Sequence, residues 1–164
     1  MKLLKIATIV ICIAFFCTAS IAGEANPVKM AHEVGFVGCD SLINDIFEFA
    51  LKAPERRFNI SYFDGIAKNN VDLTVTFGST GDTVLQSVHF KKTGGYCYST
   101  EQDIIFKVAN CAGLLNNDEY FKYEDDSAGA LWAKNKGGIN KLFIQSGNSC
   151  TQVYLTSKKQ KATK

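Results

Sequence analysis

Proline is nearly missing from this chain: Pro27 and Pro54 are the only two in 164 residues, and both precede residue 55. Everything beyond them is free to enter hydrogen-bonded ladders that a proline would interrupt. Histidine is equally scarce, and neither His32 nor His89 has a second ligand at metal-binding spacing. No Cys-x-x-Cys pair occurs, so the common structural zinc arrangements are excluded. There is no Gly-x-Ser-x-Gly elbow and no glycine-rich loop ending in Lys-Ser/Thr, which removes the α/β-hydrolase and P-loop readings. No EF-hand spacing is present. No cofactor is expected.

The one long apolar run is at the start. Lys2 and Lys5 precede a hydrophobic stretch from Ile6 to Cys17, and Ser20-Ile21-Ala22 places small residues where a signal peptidase cuts. Residues 1–22 are therefore expected to be a signal peptide, too short for a membrane span. The expectation is compartmental: a secreted or periplasmic protein that folds where thiols oxidise. Without that leader, sixteen basic residues face sixteen acidic ones. A neutral balance lacks the basic excess that nucleic acid requires, so nucleic acid is not an expected partner. The lopsided segment is Ser157–Lys164, read as a flexible basic tail from residue 158.

Cys12 and Cys17 leave with the leader; Cys39, Cys97, Cys111 and Cys150 remain, an even number that predicts two disulfides. Of the three pairings, Cys97–Cys111 is favoured because it closes a short loop, leaving Cys39–Cys150 to tie the first element to the last. Residues 23–37 show little periodicity. From Asp40 to Ala53, Leu42, Ile46, Phe49 and Ala53 recur at helical spacing with Ile43, Phe47 and Ala50 beside them, and Pro54 stops the run.

The period then changes to two. Phe58, Ile60 and Tyr62 alternate with polar residues; so do Val71, Leu73, Val75 and Phe77, and, after Gly78–Asp82, Val84, Gln86, Val88 and Phe90. Ile104, Phe106 and Val108 follow, alternating with Asp103, Ile105 and Lys107. Later stretches at 120–123, 130–134, 139–144 and 151–155 are separated by glycine turns. The expected fold is α+β: residues 23–157 form one domain, with one N-terminal helix packed on a curled antiparallel sheet or partly open barrel of about seven to eight strands.

Chemistry is thin. Glu124, Asp125 and Asp126 cluster without a distinct partner, so a secreted hydrolase built on them is the weakest reading. The most suggestive stretch is Ser127–Gly138, which joins the only tryptophan, Trp132, to Lys134, Asn135, Lys136 and a Gly-Gly turn. An aromatic anchor flanked by cations suits a protein cleft, although Trp132 fits a core position as well. The segment resembles part of the periplasmic lysozyme inhibitors, in which a Ser/Gly-bearing strand precedes an aromatic-Lys-Gly segment and a late cysteine. The spacing here differs and the tyrosine after the glycine is absent. That resemblance implies an inhibitor. The leading expectation is a non-enzymatic, exported binding protein, of inhibitor or immunity type, directed at a hydrolase or toxin through Trp132, Lys134, Asn135 and Lys136. The alternative is a carrier of a small apolar ligand.

Overall fold

Sequence alternation of period two becomes one antiparallel sheet of eight strands in a computed structural model that describes residues 25–163. The strands are β1 (Arg56–Ser61), β2 (Asn70–Ser79), β3 (Asp82–Thr93), β4 (Tyr96–Lys107), β5 (Phe121–Ser127), β6 (Ala130–Asn135), β7 (Asn140–Ser146) and β8 (Ser149–Lys161). Their spatial order is β1-β2-β3-β4-β8-β7-β6-β5. Two four-strand meanders thus meet where β4 pairs with β8, in register from Tyr96↔Lys161 to Lys107↔Cys150. The sheet is open, with β1 and β5 as its edges, so the barrel form of the expected fold is not the one adopted. Edge strand β5 is bulged between Tyr123 and Asp125 and carries Lys122, Glu124, Asp125 and Asp126. Charge and a bulge both discourage pairing with another chain.

Residues directly opposite in an antiparallel ladder point to the same side. Following the register from Phe58 through Val75, Gln86 and Asp103 to Tyr154 and Lys141 therefore traces one face across the sheet. Four short helices lie along this face: α1 (Pro27–Glu33), α2 (Asp40–Ile46), α3 (Glu48–Lys52) and α4 (Cys111–Asn116). The first three cover β1–β4, where Phe36, Phe47, Leu73, Val75, Val88 and Phe90 are wholly buried. Phe47 meets Phe58 edge-on at 5.3 Å between ring centres and lies 6.1 Å from Phe90. The fourth helix covers β6–β8 over a smaller cluster of Leu115, Ala133 and Phe143.

Four expectations need correction. The helix over 40–53 is two pieces divided at Phe47, whose ring is drawn fully into the core; Phe49, assigned to the apolar stripe, is 76% exposed. The aperiodic leader contains α1, started by Asn26 accepting from the Lys29 amide and by Pro27 at the first turn. The disulfides are Cys39–Cys97 and Cys111–Cys150. The favoured Cys97–Cys111 bridge fails because the residues between are mostly strand. From Cys97 to Lys107 the chain runs extended for about 35 Å at about 3.4 Å per residue, whereas a bridge needs Cα atoms within about 7 Å. The ladder instead brings Cys150, opposite Lys107, to 5.1 Å from Cys111 between Cα atoms.

The fourth concerns the basic tail. Residues 158–161 are the end of β8, paired with Tyr96–Ser99, and Thr163 donates its amide to the Gly38 carbonyl. Gly38 has φ +85°, and a Cβ there would lie 2.7 Å from the Thr163 carbonyl oxygen, so this close approach requires glycine. The expected signal peptide, residues 1–22, lies outside the described residues.

Candidate functional site

The uncovered face of the sheet holds the tryptophan. Trp132 pairs across to Leu142, and Leu142 to Val153, which puts all three on the side away from the helices. Val153 is opposite Ile104, and the same side carries Phe106, Ile144 and Leu155, which are 43%, 40% and 59% exposed. Ile104 and Phe106 thus belong to the outer side, and Asp103 takes the inner one. Trp132 is half-buried against the β6–β7 turn and the edge of a surface depression of about 730 Å³ that includes Gly138, Leu142, Val153 and Leu155. It is neither a closed core residue nor a free side chain.

The other three predicted residues border it without forming one cluster. Lys134 shares the outer side with Trp132 and reaches Glu124 at 3.4 Å. Asn135 points the other way, capping the β6–β7 turn by accepting from the Ile139 amide at 2.8 Å, a structural role. Lys136 is exposed and, with Lys122, Lys134, Tyr120 and Tyr123, lines a second depression of about 740 Å³. Lys159 adds another cation beyond the apolar strip, lying over the rings of Tyr96 at 4.2 Å and Tyr98 at 5.4 Å. Such contacts hold a lysine stem down while leaving its charge available. The outer face is therefore an apolar strip with a tryptophan at one side and lysines along its rim. Glu124, Asp125 and Asp126 are exposed on β5; Glu124 lines the same depression as Glu119 and is paired with Lys134.

Sequence reading missed a second constellation on the covered face. Between the α1–α3 cover and the α4 cover, the sheet floor is polar: Gln86 on β3, Glu101 and Asp103 on β4, and Tyr154 and Thr156 on β8. A cleft of about 420 Å³ opens there, walled by Ile46, Phe49, Phe77, Val84 and Ile105, with Asp45 and Lys158 also on its lining. Gln86, Glu101 and Asp103 are only 6%, 9% and 6% exposed. Gln86 donates to Glu101 Oε1 at 2.5 Å and Thr156 donates to Glu101 Oε2 at 3.1 Å, so both Glu101 oxygens are held. Asp103 Oδ1 and Gln86 Oε1 are buried with no hydrogen-bond partner.

Burial first, and the neighbouring Glu101 charge second, push the Asp103 carboxyl up to about 7, against an opposing pull from Tyr154. Burial, then the Asp103 and Glu101 charges, keep the Tyr154 phenol above its usual range, so it stays protonated. Among the described residues no Lys, Arg or His forms an ion pair with either carboxyl; Lys158 is taken by Asp45 at 2.8 Å. The only sequence signal for this site was Asp103 and Glu101 recurring at the strand period, and the apolar residues Ile104 and Phe106 masked it.

A buried charge is resolved differently in the second meander. Lys141, 8% exposed, pairs with Asp118 at 3.1 Å and has the rings of Phe121 and Phe143 each 5.0 Å away. Burial alone raises the Asp118 carboxyl, but donors from the Phe121 and Tyr120 amides and from Lys141 outweigh it and hold the carboxyl below its usual range.

No family model, curated protein or solved structure matches this chain. Two disulfides, and no described helix long and apolar enough to cross a membrane, are compatible with an extracellular or periplasmic protein.

Proposed function

We propose that this chain is an exported, disulfide-bonded binding protein that grips a protein partner with the uncovered face of its sheet, in the manner of an inhibitor or immunity protein for a hydrolase or toxin. The observation that carries this reading is Trp132 beside Leu142, Val153 and Leu155 on a sheet face that no described helix covers. A contiguous apolar strip rimmed by polar residues is the usual composition of an interaction surface. The half-buried indole offers a large apolar contact of the kind that anchors protein interfaces. Lys122, Lys134 and Lys136 on one side, and Lys159 on the other, favour a partner with an acidic rim and speed its approach. Residues 1–22, read as a cleaved leader, would bring the protein to where such partners act.

The test is a binding and inhibition screen of the disulfide-bonded protein against purified secreted glycosidases, proteases and nucleases. A target bound by the protein, with affinity reduced at least about tenfold by Trp132→Ala and a slower on-rate for Lys134→Glu, supports the reading. Binding that survives both substitutions unchanged places the interface elsewhere and overturns it. The carrier alternative bears on the covered face, where the cleft beneath α2 and α3 has apolar walls but a carboxylate floor.

A further inference from the structure

We infer that the cleft between the two helical covers binds a primary ammonium group on a short apolar body, held by Asp103, Glu101 and the Gln86 side-chain oxygen. Gln86 Oε1 and Asp103 Oδ1 are both acceptors, both more than nine-tenths buried, and both without a donor. An unsatisfied buried acceptor is costly, and both belong to side chains that line the same cleft, where a donor brought by a ligand would lower that cost. Two acidic side chains on alternate residues of β4 line this cleft, and among the described residues no cation pairs with either. A burial of this kind is tolerated when a partner neutralises it.

An ammonium supplies three donors and one positive charge, which meets Asp103 Oδ1, Gln86 Oε1 and the Glu101 carboxylate together. A hard divalent ion fits worse. It takes six or more oxygen ligands, and no third His, Cys, Asp or Glu joins the pair among the described residues. The walls supply the rest of the ligand's identity: Ile46, Phe77, Val84 and Ile105 flank the acidic floor, and Phe49 is 76% exposed at the cleft, an unusual place for a phenylalanine. An alkyl or aralkyl chain would cover that ring. A free monoamine and the lysine side chain of a peptide present the same chemistry, and both belong in the test.

The same groups predict pH dependence. Asp103 is faced by Glu101 on its own strand, Gln86 on β3, Tyr154 and Lys158 on β8, and Asp45 on α2. Of these, Lys158 and Asp45 neutralise one another, and Tyr154 stays protonated. Ammonium binding therefore strengthens as Asp103 loses its proton and weakens below about pH 7.

Calorimetric and chemical-shift titrations at pH 8 with hexylamine, 1-hexanol, calcium chloride and a lysine peptide blocked at both ends decide the matter. Hexylamine binding, with 1-hexanol at least about tenfold weaker, is the expected result. Asp103→Asn reduces hexylamine affinity by about tenfold or more, and Phe49→Ala by a smaller factor. Lowering the wild-type protein to pH 5.5 reproduces the Asp103→Asn loss, which keeps the test valid if that variant misfolds. Peptide affinity equal to or above that of hexylamine assigns the site to a lysine side chain; the reverse assigns it to a free amine. Equal binding of 1-hexanol, binding of calcium in preference to hexylamine, or binding of neither overturns the inference. Trp132→Ala leaves hexylamine affinity unchanged, so this result stands apart from the protein-binding reading.

Discussion

The two meanders bury the same sheet face with different means. β1–β4 rest on an aromatic cluster of Phe36, Phe47, Phe58 and Phe90 beneath three helices. β5–β8 have one six-residue helix, a core of Leu115, Ala133 and Phe143, and an internal ion pair. Each half has one disulfide to the sheet, from Cys39 just before α2 and from Cys111 in α4, spanning 58 and 39 residues. Burial scales with area, so the first half is held mainly by its core and the second depends far more on its bridge. The candidate docking surface, with Trp132, belongs to the second half, and the acidic cleft lies on the seam between them.

The largest effect is expected from the first core. Phe47→Ala removes a ring packed between Phe58 and Phe90 and costs about 3–5 kcal/mol, read as a lower urea midpoint for the whole molecule. Replacing Cys111 and Cys150 by serine costs about 2–4 kcal/mol on the chain-entropy argument. Its signature is regional: amide exchange accelerates in β5–β7 while β2 and β3 keep their protection. Uniform acceleration across all eight strands would show the halves to be one cooperative unit and erase the contrast drawn above.

The seam is tested by pH. Asp103 holds its proton to about pH 7 in the folded protein but releases it near 3.8 when unfolded. Between those values the folded state binds more protons, so stability falls as pH rises from about 4 to 7, by about 2–4 kcal/mol from this group. Asp103→Asn abolishes that slope and is more stable than wild type at pH 8 by about 2 kcal/mol. Chemical denaturation at both pH values in wild type and variant measures it. A variant less stable at pH 8 would show Asp103 to be satisfied after all. Smallest is Trp132→Ala, about 1 kcal/mol or less, because the indole is only half-buried on an uncovered face.

Legibility differed between the halves in the same way. In β2 and β3 the alternation Val71–Phe77 and Val84–Phe90 predicted the buried side correctly, since long strands with one apolar face declare it by period alone. In β4 both faces carry apolar residues, and the inner one carries Ser99, Glu101 and Asp103, so alternation alone does not say which side is buried. Trp132 was singled out for its rarity and its lysine neighbours. The carboxylate cleft was not, because its members come from three strands and depend on register.

Local pattern determined an antiparallel, proline-free sheet, two disulfides and a helical segment before it, because side-chain period and cysteine parity are properties of the chain itself. Only the tertiary structure decided which cysteines meet, where the tail goes and which carboxylates share a cleft. Those outcomes hang on the pairing of β4 with β8, a contact between residues far apart in sequence that no local preference specifies.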